Sequence, residues 1–309
     1  MHKKIKRIYQ FLLTLLSIVC LTIACETILA KTYLLSSDHW IKTSQESMYT
    51  SYLTNSINQS IQDTGLASGI KKDGLNNVIS EEQVQQNLNQ FVGSAFQGKA
   101  YETNNENIKK ELYSAIETYA KKENMTINET NKVYVDKLVE QSVQLYDNQI
   151  NNKIVSTIGL RVKLIKRLVD LLVISTSVLF FVLIVLLYFA SDRYKHVFIR
   201  NLAYIITTTG LLLVSITAVI TIKNPVAFVS LFDAGMKEWI NTSLALPMKI
   251  QKIMSGVFLA MGILLSIYSY TEYKRLEQRG FRRKEHSDEE NEDVDGLSEF
   301  DDEEINPTF

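Results

Sequence analysis

The chain has 309 residues, 33 Lys+Arg against 34 Asp+Glu, 46% apolar residues, two Cys and three Pro. A near-zero net charge gives no electrostatic footprint for nucleic acid. Two Cys, both within one apolar block, leave neither a disulfide framework nor a thiolate metal site.

The apolar residues gather in four blocks, 8–30, 168–190, 202–222 and 253–270. Each approaches the ~20 residues that carry a helix across the hydrocarbon layer. Backbone polar groups in lipid must be satisfied within the element, so these blocks predict helices. The expected fold class is an all-α integral membrane protein: four transmembrane helices with an extracytoplasmic helical bundle inserted between spans 1 and 2. The expected organisation is an N-terminal transmembrane helix (1–30) and an extracytoplasmic helical domain (31–167). A three-span membrane domain (168–273) with an outer amphipathic loop (223–252) follows, then a cytoplasmic, basic-then-acidic disordered tail (274–309).

Span 1 begins after Lys3, Lys4, Lys6 and Arg7 and reads as an uncleaved signal anchor. Within it, Leu21-Thr22-Ile23-Ala24-Cys25 resembles a bacterial lipoprotein box with Cys25 in the lipidated position, departing at Thr22. Further basic residues flank the loop after span 2 (Arg193, Lys195, Arg200) and the end of span 4 (Lys274, Arg275, Arg279, Arg282, Arg283, Lys284). The positive-inside rule then puts both termini in the cytoplasm. Arg161, Lys163, Lys166 and Arg167 oppose this, but a long preceding segment translocates largely regardless of charge. Glu26 and Asp170 fall near span ends rather than at mid-membrane, which argues against a proton or ion path.

Between spans 1 and 2, residues 31–160 hold 12 Lys, no Arg, 15 Asp+Glu, 15 Asn and no Pro. His39 and Trp40 stand just beyond span 1, and Trp40 reads as an interfacial anchor. The spacing of Tyr49, Leu53, Ile57 and Ile61 predicts one helix over about 33–63. Gly65, Gly69 and Gly74 punctuate a loop. Ser80-Glu81-Glu82-Gln83 forms a capping box for a second helix carrying Val84, Leu88, Phe91 and Val92 inward and stopping at Gly93–Gly98. A third starts at about Asn105 with Ile108, Leu112, Ile116 and Tyr119 as its face. A fourth, capped at 126–129, is expected to continue with span 2 as one rod from Glu129 to Ala190. The aromatic residues here read as core rather than as a ligand pocket.

Beyond span 3, residues 225–252 mix Phe228, Leu231, Phe232, Trp239 and Ile240 with Asp233, Lys237 and Glu238. They predict a short amphipathic helix on the outer surface, ending near Pro247. Ser255, Gly262 and Ser266 form a small-residue helix-packing face on span 4. In the tail, 12 of the residues 285–304 are acidic, a block that cannot bury itself. Residues 291–302 resemble a calcium loop in ligand spacing, with Asp302 departing at the last ligand position and Ser298 where an apolar residue is usual.

No phosphate loop, H-E-x-x-H, G-x-S-x-G or Cys/His cluster occurs, and His2, His39, His196 and His286 lie in different compartments. The expectation is therefore a protein that is not an enzyme and takes no cofactor and no metal. Arg161, Lys163, Lys166 and Arg167 read as a contact for anionic lipid or wall polymer, or as cations snorkelling along span 2.

The span order resembles that of ABC-type export and mechanotransmission permeases, and a bundle emerging from two spans resembles bacterial helical sensors. Neither likeness rests on a motif. The sequence points first to a non-enzymatic bacterial envelope protein whose outer bundle binds an envelope component or partner protein and couples to span 2. The alternatives are a permease-like exporter subunit and an immunity or lipid-organising factor. The partners implied are the lipid bilayer, other membrane or envelope proteins and a second copy of the chain.

Overall fold

The computed structural model describes residues 2–191, 195–223 and 233–297, and among them every regular element is helical. In chain order these are α1 (His2–Leu29), a π-helical turn (Ala30–Leu34), α2 (Ser37–Glu46), α3 (Tyr49–Ala67), a 3-10 turn (Lys72–Leu75), α4 (Glu81–Gln97), α5 (Asn105–Lys122), α6 (Glu129–Ile150), α7 (Lys153–Ala190), α8 (Lys195–Lys223) and α9 (Ala234–Leu297). Among the described residues, four helical stretches are long and apolar enough to cross a membrane: Ile5–Leu34, Lys153–Ala190, Lys195–Lys223 and Ala234–Leu276. Four such helices are consistent with a multi-pass membrane protein.

The chain divides into two compact units. One comprises residues 21–179 and 213–253, the other residues 1–20, 180–212 and 254–309.

In the first unit, α3 packs on α4 and α6, α5 on α6, and α2 on α4. Their apolar stripes meet in one core: Leu53, Ile57 and Ile61 of α3, Val84, Leu88 and Val92 of α4, Ile108, Leu112 and Ile116 of α5, Leu138, Tyr146 and Ile150 of α6. A single amphipathic helix could not bury such a stripe, and several together can. Boundaries follow the polar residues. The Ser80 hydroxyl accepts from the Gln83 amide at 3.3 Å, and Asn128 Oδ1 from the Asn131 amide at 2.9 Å. Gly98 closes α4 in the left-handed region (φ 64°).

Three boundaries differ from expectation. The single helix foreseen over 33–63 is broken, because Ser36 caps α2 and Met48 turns into the left-handed region (φ 56°) before α3. The rod foreseen from Glu129 to Ala190 is two helices. Asn152 Oδ1 accepts from the Ile154 amide at 2.9 Å and starts α7, an Asx cap that competes with helix continuation.

The third concerns the region expected as a surface helix ending at Pro247. Residues 224–232, with Phe228, Leu231 and Phe232, lie outside the described ones. From Ala234 the chain is one helix that runs through Pro247. Its first turns enter the bundle core, with Trp239 1% exposed. Trp239 stacks on Tyr49 (ring centroids 4.7 Å), meets Trp40 edge-on (5.7 Å) and donates through Nε1 to the Trp40 carbonyl at 2.9 Å. Trp40 thus packs within the protein instead of anchoring alone.

Pro247 removes the amide that would bond the carbonyl of Ser243. That carbonyl instead accepts from His39 Nε2 at 2.8 Å, and the Ser243 hydroxyl pairs with Thr43 Oγ1 at 2.6 Å. Nearby, Gln251 Nε2 donates to Glu26 at 2.6 Å and Lys31 pairs with Asp170 at 2.8 Å, so both sequence-marked acids have partners.

In the second unit, Gln10 Nε2 donates to the carbonyl of Ala190, the last residue of α7, at 2.8 Å. Helices α8 and α9 approach closely: a Cβ on Gly262 would strike Thr207 Oγ1, and one on Gly210 would lie 3.2 Å from the carbonyl oxygen of Ser255. α9 continues through the basic segment to Leu297, so the chain remains helical past 274, where the tail was expected to begin. Lys, Arg and Glu are good helix formers, and no Pro interrupts 248–297. The end of the calcium-like spacing, from Ser298 to Asp302, lies outside the described residues.

Candidate functional site

The bundle carries an open groove where α5 turns into α6. The turn is set by Asn124 (φ 55°) and by Asn128, which caps α6. Two adjoining cavities of about 410 and 280 Å³ share Ala120, Met125, Thr126, Ile127 and Val135 as walls. Glu117, Lys121 and Lys132 stand around the first, and Gly69, Ile70 and Tyr134 extend the second. Met125, Val133 and Tyr134 are 55%, 67% and 72% exposed, an apolar surface out of keeping with a closed core. Tyr113, beside the groove, donates to Asp136 at 2.8 Å, and that bond holds its phenol above the usual range. Below, Tyr119 Oη accepts from the Lys71 amide at 3.2 Å, while Lys71 pairs with Glu123 at 3.0 Å. The polar bonds fix the walls, and the apolar groups of Met125 and Tyr134 stay exposed.

A second seam joins the bundle to α7. Val155, Val162 and Val169 of α7 are buried in the bundle core. Gly159 lies against α4: a Cβ there would be 2.5 Å from both the carbonyl carbon and oxygen of Ala95. Only glycine lets two helix backbones meet so closely.

Arg161, Lys163, Lys166 and Arg167 all lie on α7 and are exposed. At about 100° per residue, Lys163, Lys166 and Arg167 fall within about 100° of one another, while Arg161 points well away from them. Lys163 has a local role. Its aliphatic stem crosses Gly98 at the end of α4, and its Nζ is 3.3 Å from where a Gly98 Cβ would sit. A cation there complements the negative end of the helix. Of the packing face Ser255, Gly262 and Ser266, the first two are buried and Ser266 is exposed, its hydroxyl bonded to the Gly262 carbonyl at 2.8 Å. The next buried residue in that seven-residue spacing is Ser269, which donates to the His196 carbonyl at 2.9 Å.

Comparison with protein families, curated proteins and solved structures finds no match. The geometry alone therefore carries the functional reading. Among the described residues no group of three His, Cys, Asp or Glu is placed to hold a metal ion. Sequence reasoning missed the α5–α6 groove because Ile127 reads as part of the cap at 126–129 and Met125 belongs to no apolar stripe. Exposed apolar residues beside two turn-forming asparagines were the available signal.

Proposed function

We propose that this is a non-enzymatic bacterial envelope membrane protein. Its bundle lies outside the cytoplasmic membrane, takes a partner protein in the α5–α6 groove, and passes that state to span 2 through α7. The seam at Gly159 carries the reading. A helix whose first turns belong to the bundle core and whose backbone touches α4 cannot shift without moving that core, and it is the same helix that supplies span 2. Packed interfaces of this kind move as units rather than deform continuously. Both termini are cytoplasmic and residues 31–167 extracytoplasmic, which the basic residues before span 1 and after spans 2 and 4 support.

A photo-crosslinking residue at Tyr134 tests the reading in native membranes. The expected product is one discrete membrane or envelope protein, lost on Ile127→Asp and unaffected by a probe at Lys110. Crosslinking indistinguishable between the two probes would overturn the groove assignment. Sidedness is read by a membrane-impermeant thiol reagent on Asn105→Cys in a background with Cys20→Ala and Cys25→Ala. Labelling is expected in intact cells, and labelling only after lysis would invert the map. The exporter-subunit alternative is less well supported, since α7 ends at Ala190 and α8 begins at Lys195, a short connection for docking an ATPase.

A further inference from the structure

The second unit contains a cavity of about 640 Å³ whose wall includes Lys6 and Arg7 of α1 and Arg200 and Asn201 of α8. We propose that this cavity binds the phosphate of an anionic phospholipid headgroup.

Arg7 and Arg200 converge on it beside Lys6, and none of the described residues that line it is a carboxylate. The positive-inside pattern explains basic residues near a membrane surface, but not their convergence from two helices separated in sequence onto one hollow. Asn201 is 8% exposed, and its Nδ2 has no hydrogen-bond partner among the described residues. A buried donor without an acceptor is uncommon and points to an acceptor supplied from elsewhere. Val197, in the first turn of α8, also lines the wall, and first-turn amides add partial positive charge. Arginine forks match phosphate oxygens in pairs.

Phe11 and Tyr204 also line the wall and are 65% and 54% exposed. An apolar margin beside a cationic hollow suits a molecule with a phosphate at one end and hydrocarbon at the other, and gives a free phosphate nothing. The hollow is held open by contacts that do not use the ligand: Gln10 is committed to the Ala190 carbonyl, and Ser191 donates to the Leu187 carbonyl at 2.7 Å.

The test uses the full chain in nanodiscs of equal phosphatidylglycerol and phosphatidylcholine, followed by native mass spectrometry of the lipids retained after transfer to detergent. Wild type is expected to retain phosphatidylglycerol in preference. Each charge removed should weaken retention about fivefold, so Arg7→Gln with Arg200→Gln should lose about 25-fold. Asn201→Leu should weaken it as well, while Lys99→Gln with Lys110→Gln, exposed on the bundle, should leave it unchanged. Circular dichroism shows whether each variant is folded; if the double arginine variant is not, Asn201→Leu decides. No preference in wild type, or full retention in both cavity variants, overturns the proposal. A wild type that binds glycerol 3-phosphate but does not enrich phosphatidylglycerol also overturns it, by assigning the cavity to a soluble phosphate.

Discussion

The His39 imidazole donates through Nε2 to the carbonyl of Ser243 at 2.8 Å, and Ser243 stands four residues before Pro247. A carbonyl that proline has deprived of its helical partner is thus satisfied by a side chain 204 positions away in sequence. A buried acceptor left unsatisfied costs about 1–3 kcal/mol. His39→Ala should destabilise the protein by that amount in SDS titration of detergent-solubilised chain. In a Pro247→Ala background the restored amide bonds the same carbonyl, so the cost should fall below about 1 kcal/mol. Equal costs in both backgrounds would refute the pairing.

Gly159→Ala should separate α7 from α4. The new methyl meets backbone atoms of Ala95, which no rotamer change can move, and overpacking of this kind costs about 1–3 kcal/mol. Ala95→Gly should recover only part of the loss, because the closest contacts are to the carbonyl carbon and oxygen. Full recovery would show that the side chain alone sets the spacing.

The small-residue face on α9 separates cleanly by position. Gly262→Ala drives a methyl into Thr207 and should destabilise by about 1–3 kcal/mol, with Thr207→Ala relieving it. Ser266→Ala, at an exposed site, should stay within about 0.5 kcal/mol of wild type. The same SDS titration distinguishes them, and a larger effect at Ser266 would contradict the packing described.

Alkaline pH should loosen the bundle. Burial pushes the Tyr146 phenol from 10.0 up to about 12, against the opposing pull of the hydrogen bond from Asn87. The unfolded chain therefore ionises first. The stabilisation is complete below pH 10 and is lost as pH rises from there through about 12. Unfolding midpoints followed beside tyrosinate absorbance should show this fall, and Tyr146→Phe should flatten it. Tyr49 and Tyr101, raised in the same direction by burial, leave a residual slope. A wild-type midpoint independent of pH across that window would count against burial as the cause.

The helical stripes and the four spans were legible because burial imposes a period. Val84, Leu88 and Val92, or Ile108, Leu112 and Ile116, could face only one way. The break in the expected 129–190 rod was not legible because nothing in the local pattern around Asn151 and Asn152 separates an asparagine within a helix from one that caps it. Pro247 was misread because its tolerance depends on His39, which no local window contains. Asn58 shows the same limit. Its side chain donates to the Ile79 carbonyl at 2.9 Å and accepts from the Ile79 amide at 3.0 Å, a pairing that only the folded topology creates. The candidate groove and the basic cavity lay beyond the sequence for the same reason, since their walls are assembled from separate helices.

The docking of Trp239 against Trp40 and Tyr49 sets an order of biogenesis. Residues 37–150 leave the ribosome well before Trp239 is made, so the nascent bundle carries an uncapped aromatic recess while spans 2 and 3 are being inserted. Maturation ends only when α9 arrives, and a chaperone or insertase that shields the recess until then would act on a transient form the finished protein no longer displays.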